Sequence, residues 1–479
     1  MNPLDGFDTR AVAERRRPFD QLERRLVRNA LALPDDPETA RRVQQLRYAI
    51  SFARLTTVVN PDGREIDLTG VTAPHAQRIR DLLSPHLVEA EDVREALRRT
   101  DLAVAWTRAA RAEILGHGSL SRDALEAEVS ERLLVVASGG GGGAGYVYPG
   151  AYEALDRAGL APSLLVGTSI GALMSMFRAR SRRFDLATLL SAARALSWTR
   201  VFRAFEGRSR YGLPATLRLR LHDALGPLFR EADDRTTQLS DLHIPFYAIV
   251  TGIRADGLKH DLHYYETLLG EEMATPGRGT QVRAGIRAMG LVREFLATPE
   301  ALQPIVVGRE PGTQGFDVLD AAGFSAAIPG VIHYDVDPGN THMSHILDHL
   351  YAVHGVARFG EGGMVSNVPA RVAWETAVSG HLGPRRNVFV LALDCFAPHP
   401  SRLAWYPFQQ LVRQSNVFAD RAFADVYLPF RQTLSPLNLV PPVEDALQAI
   451  RWGRDEIRPL MPFIERMMAR IPTLPDAHG

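Results

Sequence analysis

The sequence predicts an α/β fold, a sheet with helices on both faces, flanked by N- and C-terminal helical regions. Two observations carry this expectation. Four short apolar runs, Leu133 to Val136, Leu164 to Val166, Pro245 to Val250 and Asn387 to Leu393, have the composition of strands buried on both faces. Helical patterns follow the first two runs, Tyr148 to Ala158 and Ile170 to Arg180, and strand–helix alternation of this kind builds a mostly parallel sheet.

Taken in order, residues 1–130 read as mostly helical. Leu22, Leu26, Ala30 and Leu31 recur near helical spacing, and Glu91 to Ile114 does the same through Leu97, Leu102, Ala105 and Ala109. Between them, Leu55 to Val59 followed by Asn60-Pro-Asp-Gly63 predicts a short hairpin. This region holds no catalytic constellation and reads as a packing or regulatory domain. Residues 131–395 carry the strand–helix alternation. Within them, the Arg- and Leu-rich stretch 196–235 is expected to be helical. Residues 396–479 are broken by Pro398, Pro400, Pro407, Pro429, Pro436, Pro441 and Pro442 into short helices and loops.

The composition narrows the function. The chain has 479 residues, with 55 Lys+Arg against 55 Asp+Glu, so its formal charge is zero. Bulk electrostatic binding to nucleic acid is not expected. The one cysteine, Cys395, excludes an intramolecular disulfide framework and a cysteine-cluster metal site, and it reads as buried packing. Met1 to Arg28 is crowded with charge, without the apolar core of an export signal. Two uncharged stretches, Leu133 to Tyr152 and Ala161 to Phe177, are interrupted by glycines and do not read as membrane spans. The expectation is a soluble, cytoplasmic protein.

Two motifs carry chemistry. Gly139 to Gly143, then Ala144 and Gly145, follow a strand and open a helix. Gly140, Gly142 and Gly145 match the dinucleotide pattern, but the next strand ends Val166-Gly-Thr-Ser169 without the acidic residue that pattern requires. A Walker lysine is absent as well. What remains is a turn rich in free N–H groups at a helix start, a place for an anion or a developing oxyanion. Gly167-Thr-Ser169-Ile-Gly171 is a G-x-S-x-G between a strand and a helix. Such a turn exposes the serine hydroxyl, and the glycines on either side relieve its crowding. Ser169 then needs a base. Glu361, between glycines in Phe359-Gly-Glu-Gly-Gly-Met-Val-Ser-Asn-Val-Pro369, is one candidate. His399, after the last strand, is another.

Together these stretches resemble the patatin-like phospholipases, whose pattern is a glycine-rich oxyanion loop, a G-x-S-x-G elbow and a late Asp-Gly-Gly. Tyr148 to Leu155 is similar to that family's first helix, Pro245 to Arg254 to its central strand, and Ala326 to Val331 to the segment before the acid. The resemblance covers about residues 132–395. It implies a patatin-like three-layer sheet and a catalytic dyad of Ser169 and Glu361 that needs no histidine. It also implies an oxyanion hole at Gly140, Gly141, Gly142 and Gly143, and an elbow relieved by Gly167 and Gly171. The implied substrate is an acyl lipid, phospholipid or glyceride, cleaved through an acyl-enzyme without cofactor or metal, with peripheral membrane contact. Three features depart from the family. Ala144 stands where most members have Arg or Lys, Glu361 replaces aspartate, and residues 333–356 are longer and contain five histidines.

Those departures keep two other readings open. Ala144 and Glu361 suit a catalytically weak or inactive lipid-binding or regulatory protein on the same fold. His342, His345 and His349, at i, i+3 and i+7 with Asp348 beside them, have the spacing of a Zn²⁺ site or of a polar helix face. The aromatic residues Trp405, Tyr406, Phe408, Phe418, Phe423, Tyr427 and Phe430 suit a core or a membrane-facing surface.

Overall fold

The computed structural model describes residues 8–116, 118–204, 209–256, 264, 299–397 and 417–475. His399, Trp405, Tyr406 and Phe408 lie outside them. The chain forms two compact units whose segments alternate along the sequence. One comprises residues 1–134, 374–389 and 459–479, the other residues 135–373 and 390–458.

The first unit is mainly helical. Its helices Thr9–Ala30, Pro37–Ala53 and Arg122–Ser130 start at Asp8, Asp36 and Ser121, whose side chains accept hydrogen bonds from first-turn N–H groups. Leu22 and Leu26 lie buried with Phe19 against Leu46 and Ile50. The helical pattern from Glu91 onward divides in two, because Asp92 caps Val93–Arg98 and a second helix runs over Thr100–Gly116. The predicted hairpin forms from β1 (Thr57–Val59) and β2 (Glu65–Asp67). Buried among the helices, Glu23 meets Arg47 at 3.1 Å, Arg54 at 3.1 Å and Arg132 at 2.6 Å. Burial alone would raise the Glu23 carboxyl, but the three guanidinium groups together hold it down, to about 2.

The second unit is a three-layer α/β structure around a mostly parallel sheet. Its strands are β3 (Leu133–Ser138), β4 (Leu164–Gly167), β7 (Phe246–Ile253), β8 (Leu302–Val307), β10 (Arg358–Glu361), β11 (Val388–Asp394) and β12 (Val426–Pro429). They run in the order β10-β7-β4-β3-β11-β12, with β8 also paired to β7. β4 and β7 are buried along their whole length, as continuous apolar runs require. A small second sheet joins β5 (Phe202–Ala204), β6 (Ala215–Leu219) and β9 (Gly330–His333). The stretch 196–235 is therefore not simply helical. Its segment Ala215-Thr-Leu-Arg-Leu219 alternates with period two and pairs with both neighbours.

The register of β7 assembles the site. β8 occupies one edge of β7, pairing Ala248 to Ile253. The other edge is shared: parallel β4 pairs as far as Gly167 opposite Ala248, and antiparallel β10 ends with Glu361 opposite Val250. Two strands thus meet end to end along one edge. The segment after Gly167 and the end of β10 are brought together by backbone pairing alone.

Residues 417–458 complete this unit. β12 extends the sheet beside β11. The helix Val443–Ile457 packs on the helix Tyr148–Arg157 through facing glycines. A Cβ on Gly150 would lie 2.0 Å from the Ile450 carbonyl oxygen, and one on Gly453 would lie 1.9 Å from that of Val147. No described helix is long and apolar enough to cross a membrane.

Candidate active site

Ser169 closes the turn between β4 and the helix Ile170–Ala179 with φ 55° and ψ −124°. A non-glycine residue in that region is strained, and the surroundings hold it there. Its N–H donates to the Ser325 hydroxyl at 2.9 Å, which in turn donates to the Ile249 carbonyl at 2.6 Å. Thr168 fixes the preceding residue: its N–H reaches the Ser138 carbonyl at 3.0 Å and its hydroxyl the Ser366 carbonyl at 2.9 Å. The G-x-S-x-G glycines are there for close approach. At Gly171 a Cβ would stand 2.1 Å from the Ser138 oxygen, and at Gly167 it would stand 2.5 Å from Ala172 Cα. Ser169 lies at the N-terminus of its helix, where the peptide dipoles favour developing negative charge.

Ser169 and Glu361 adjoin, and the Ser169 hydroxyl and the Gly363 N–H both favour the ionised form of the Glu361 carboxyl. Glu361 is half-buried, with protein atoms crowded around its carboxyl group. That burial pushes the carboxyl up to about 7, against the opposing pull of Gly363 and Ser169. A Cβ added at Gly363 would touch both Glu361 carboxylate oxygens at 2.8 Å. Gly363, the second glycine after this acid, therefore leaves room for the Glu side chain.

The four loop glycines are not equivalent. Gly140 lies closest to the pair, since a Cβ there would be 3.2 Å from Ser169 Cβ and 3.4 Å from Glu361 Oε1. Its own N–H is spent on the Asn367 carbonyl at 3.0 Å, and the Gly143 N–H on the Pro436 carbonyl at 2.9 Å. Among the described residues, the N–H groups of Gly141 and Gly142 have no acceptor. Gly142 takes φ 54°, and a Cβ there would meet the Pro436 oxygen at 2.3 Å. Ala144 is fully buried, and its N–H turns back to the Gly141 carbonyl at 3.2 Å. Tyr148 buttresses the loop, donating to the Gly139 carbonyl at 2.8 Å and accepting from the Cys395 N–H at 3.0 Å. Cys395 is buried.

The histidine-rich segment lies elsewhere. His342, His345 and His349 project from the helix Thr341–His354 into solvent. His342 Nε2 bonds the Gly315 carbonyl at 2.8 Å, and Asp348 is engaged by Tyr211 at 2.8 Å and Arg210 at 3.1 Å. The three histidines form no three-residue ligand cluster among the described residues. His333 is buried on β9 with Nδ1 on the Leu213 carbonyl at 2.9 Å. Of the described aromatic residues, Phe430 is buried against Tyr148, whereas Phe418 is 61% exposed. Sequence reasoning did not single out Ser325 or Asn367. Ser325 immediately precedes the Ala326 to Val331 segment, and Asn367 stands in the motif of Glu361, so both lay beside recognised residues.

A mostly parallel sheet, a strained serine at the end of a strand, a glycine loop with idle N–H groups and an adjoining carboxylate thus stand together in the second unit. Residues 136–374 match the family model described as patatin-like phospholipase. The chain belongs to that family, which is one of lipid acyl hydrolases. Among curated proteins no match to the chain is found.

Proposed function

We propose that the protein is a serine acyl-ester hydrolase acting on lipids, phospholipid or glyceride, through Ser169 and Glu361. The observation that carries this reading is the strained Ser169 standing beside Glu361, whose carboxyl is pushed up to about 7 by the protein packed around it. Proton transfer is most effective when the base titrates near the working pH. Burial thus lets Glu361 act at neutral pH much as an imidazole would. Glu361 takes the hydroxyl proton as Ser169 Oγ bonds the ester carbonyl carbon. The resulting oxyanion is held by the idle N–H groups of Gly141 and Gly142 and by the helix dipole. Collapse of this intermediate breaks the ester C–O bond, and Glu361 returns its proton to the departing alcohol. Water then attacks the acyl-serine, again with Glu361 as base, and releases a fatty acid. In this reading Gly140 and Gly143 support the loop through their committed N–H groups, and Ala144 leaves the oxyanion donors to the backbone. The enzyme works in the cytoplasm, with peripheral contact to a lipid surface, and its ester chemistry runs through no cofactor, catalytic metal or nucleic acid.

The test is labelling with a fluorophosphonate alongside hydrolysis of a phospholipid and glyceride panel, comparing wild type with Ser169→Ala. Wild type should label once and hydrolyse. The alanine variant should fold, fail to label and lose activity by several orders of magnitude, leaving only residual oxyanion and binding effects. A wild-type protein that binds lipid without labelling or turnover would favour the non-catalytic reading instead.

A further inference from the structure

A second polar constellation lies in the same unit and uses none of the residues at Ser169. His222 comes from the helix Leu221–Leu225, while Asp317 caps the helix Val318–Ser325 and Asp320 lies in its first turn. One ligand atom from each falls within 4.8 Å of the other two, the one such grouping of three among the described residues. Asp317 is 2% exposed and Asp320 1%. In each carboxylate one oxygen is committed and the other is not. Asp317 Oδ1 accepts from the Leu319 N–H at 2.9 Å, and Asp320 Oδ1 faces the Tyr334 hydroxyl at 2.6 Å and His222 Nε2 at 2.8 Å. Both Oδ2 atoms are buried without a hydrogen-bond partner among the described residues. The Thr236 hydroxyl approaches Asp317 but does not close a bond to Oδ2.

Two idle oxygens on adjoining buried carboxylates are costly, since a buried polar atom without a partner loses its hydration and gains nothing. A cation offsets that loss. Neighbouring ligand atoms on an ion with bonds of about 2.0–2.1 Å lie roughly 3 Å apart, so the three groups, now within 4.8 Å of one another, would draw together around it. His222 is 40% exposed in its side chain, which leaves an entry path from solvent. We propose that His222, Asp317 and Asp320 bind a divalent transition cation. An imidazole with two carboxylates selects Zn²⁺ or Mn²⁺ over Ca²⁺ and Mg²⁺, which prefer oxygen alone. The bound ion pins the helix Leu221–Leu225 to the first turn of Val318–Ser325. The last residue of that second helix, Ser325, holds the Ser169 N–H. The cation therefore braces the element on which the nucleophile's elbow rests.

The experiment uses the full chain stripped with a chelator, titrated calorimetrically with Zn²⁺, Mn²⁺ and Ca²⁺ and melted with and without each. One equivalent of Zn²⁺ or Mn²⁺ is expected to bind and raise the melting temperature. Asp317→Asn and His222→Gln should each weaken binding about tenfold or more, as the loss of a ligand group requires. Asparagine still caps a helix. Asp317→Asn should therefore melt no lower than stripped wild type, which separates lost binding from lost folding. A variant carrying His345→Gln and His349→Gln should bind as wild type does. The proposal is overturned if wild type binds neither Zn²⁺ nor Mn²⁺, if binding is lost with the exposed histidines and kept in Asp317→Asn, or if Ca²⁺ binds as tightly as Zn²⁺.

Discussion

In the proposed mechanism Glu361 couples chemistry to stability, and the two respond to pH in opposite directions. Its carboxyl is raised from the ordinary 4.5 to about 7 in the folded chain. The folded state thus prefers the protonated form. That preference stabilises fully below about pH 4.5 and is lost as the pH climbs through about 7. The proposed mechanism needs the ionised form, so kcat/KM of an uncharged ester should rise with pH and level off above about 7. Glu361→Gln should be nearly inactive at every pH, because an amide cannot accept the serine proton. At about pH 8 it should melt above wild type, since it removes a buried charge worth at most a few kcal/mol, and the advantage should vanish in acid. Activity in the glutamine variant, or a flat pH profile in wild type, would remove Glu361 from the mechanism. Ser169, Glu361 and the glycines stand out in the sequence because the chemistry proposed for them admits few residue types. Asn367 does not, because it serves Gly140 through a backbone carbonyl that any residue could supply.

Elements were legible where burial on both faces fixes their composition. β3, β4, β7 and β11 are apolar runs and could be read directly. β10 is Arg358-Phe-Gly-Glu361 and β9 is Gly330-Val-Ile-His333, which owe their strand state to pairing with distant partners rather than to their own pattern. The helix Val443–Ile457 was expected only as one of several short C-terminal helices, yet its upstream loop supplies the Pro436 carbonyl to the glycine loop. Its seat depends on Gly150 and Gly453, where the two helices meet backbone to backbone. Gly453→Ala places a methyl 1.9 Å from the Val147 oxygen and must push the helices apart. Overpacking of this kind costs about 1–3 kcal/mol, against roughly 1 kcal/mol gained in helix propensity. A lower melting temperature and reduced ester turnover should result. The control is Arg454→Ala, which breaks a partly exposed ion pair with Glu153 and should cost no more than about 1 kcal/mol. A Gly453→Ala variant more stable than wild type would refute the close helix contact.

At the scale of the molecule, the alternation of the two units along the chain was not legible, because sequence patterns report local order and not which distant segments share a core. Residues 459–479 illustrate this. They follow the helix that serves the α/β unit, yet they belong with residues 1–134. The Met467 carbonyl accepts from Arg47 at 2.9 Å, the Leu474 carbonyl from Arg111 at 2.7 Å, and the Ser130 carbonyl from the Ile471 N–H at 3.0 Å. Ile471 and Leu474 are buried in one cluster with Tyr48, Phe52 and Val129. A chain ending at Arg458 would keep every residue of the α/β unit and strip the helical unit of this segment. Each large buried side chain contributes about 1.5–3 kcal/mol, and Phe463, Ile464, Met467, Ile471 and Leu474 are all buried. Their summed loss rivals the roughly 5–15 kcal/mol of total stability typical of a domain. Two buried guanidinium groups, Arg47 and Arg111, would also each lose a carbonyl partner. Hydrogen exchange followed by mass spectrometry should therefore show protection falling in Thr9–Ala30, Pro37–Ala53 and Arg122–Ser130 of the truncated chain. Protection in those three helices equal to that of the full chain would show that the C-terminal segment lies on this unit without supporting it.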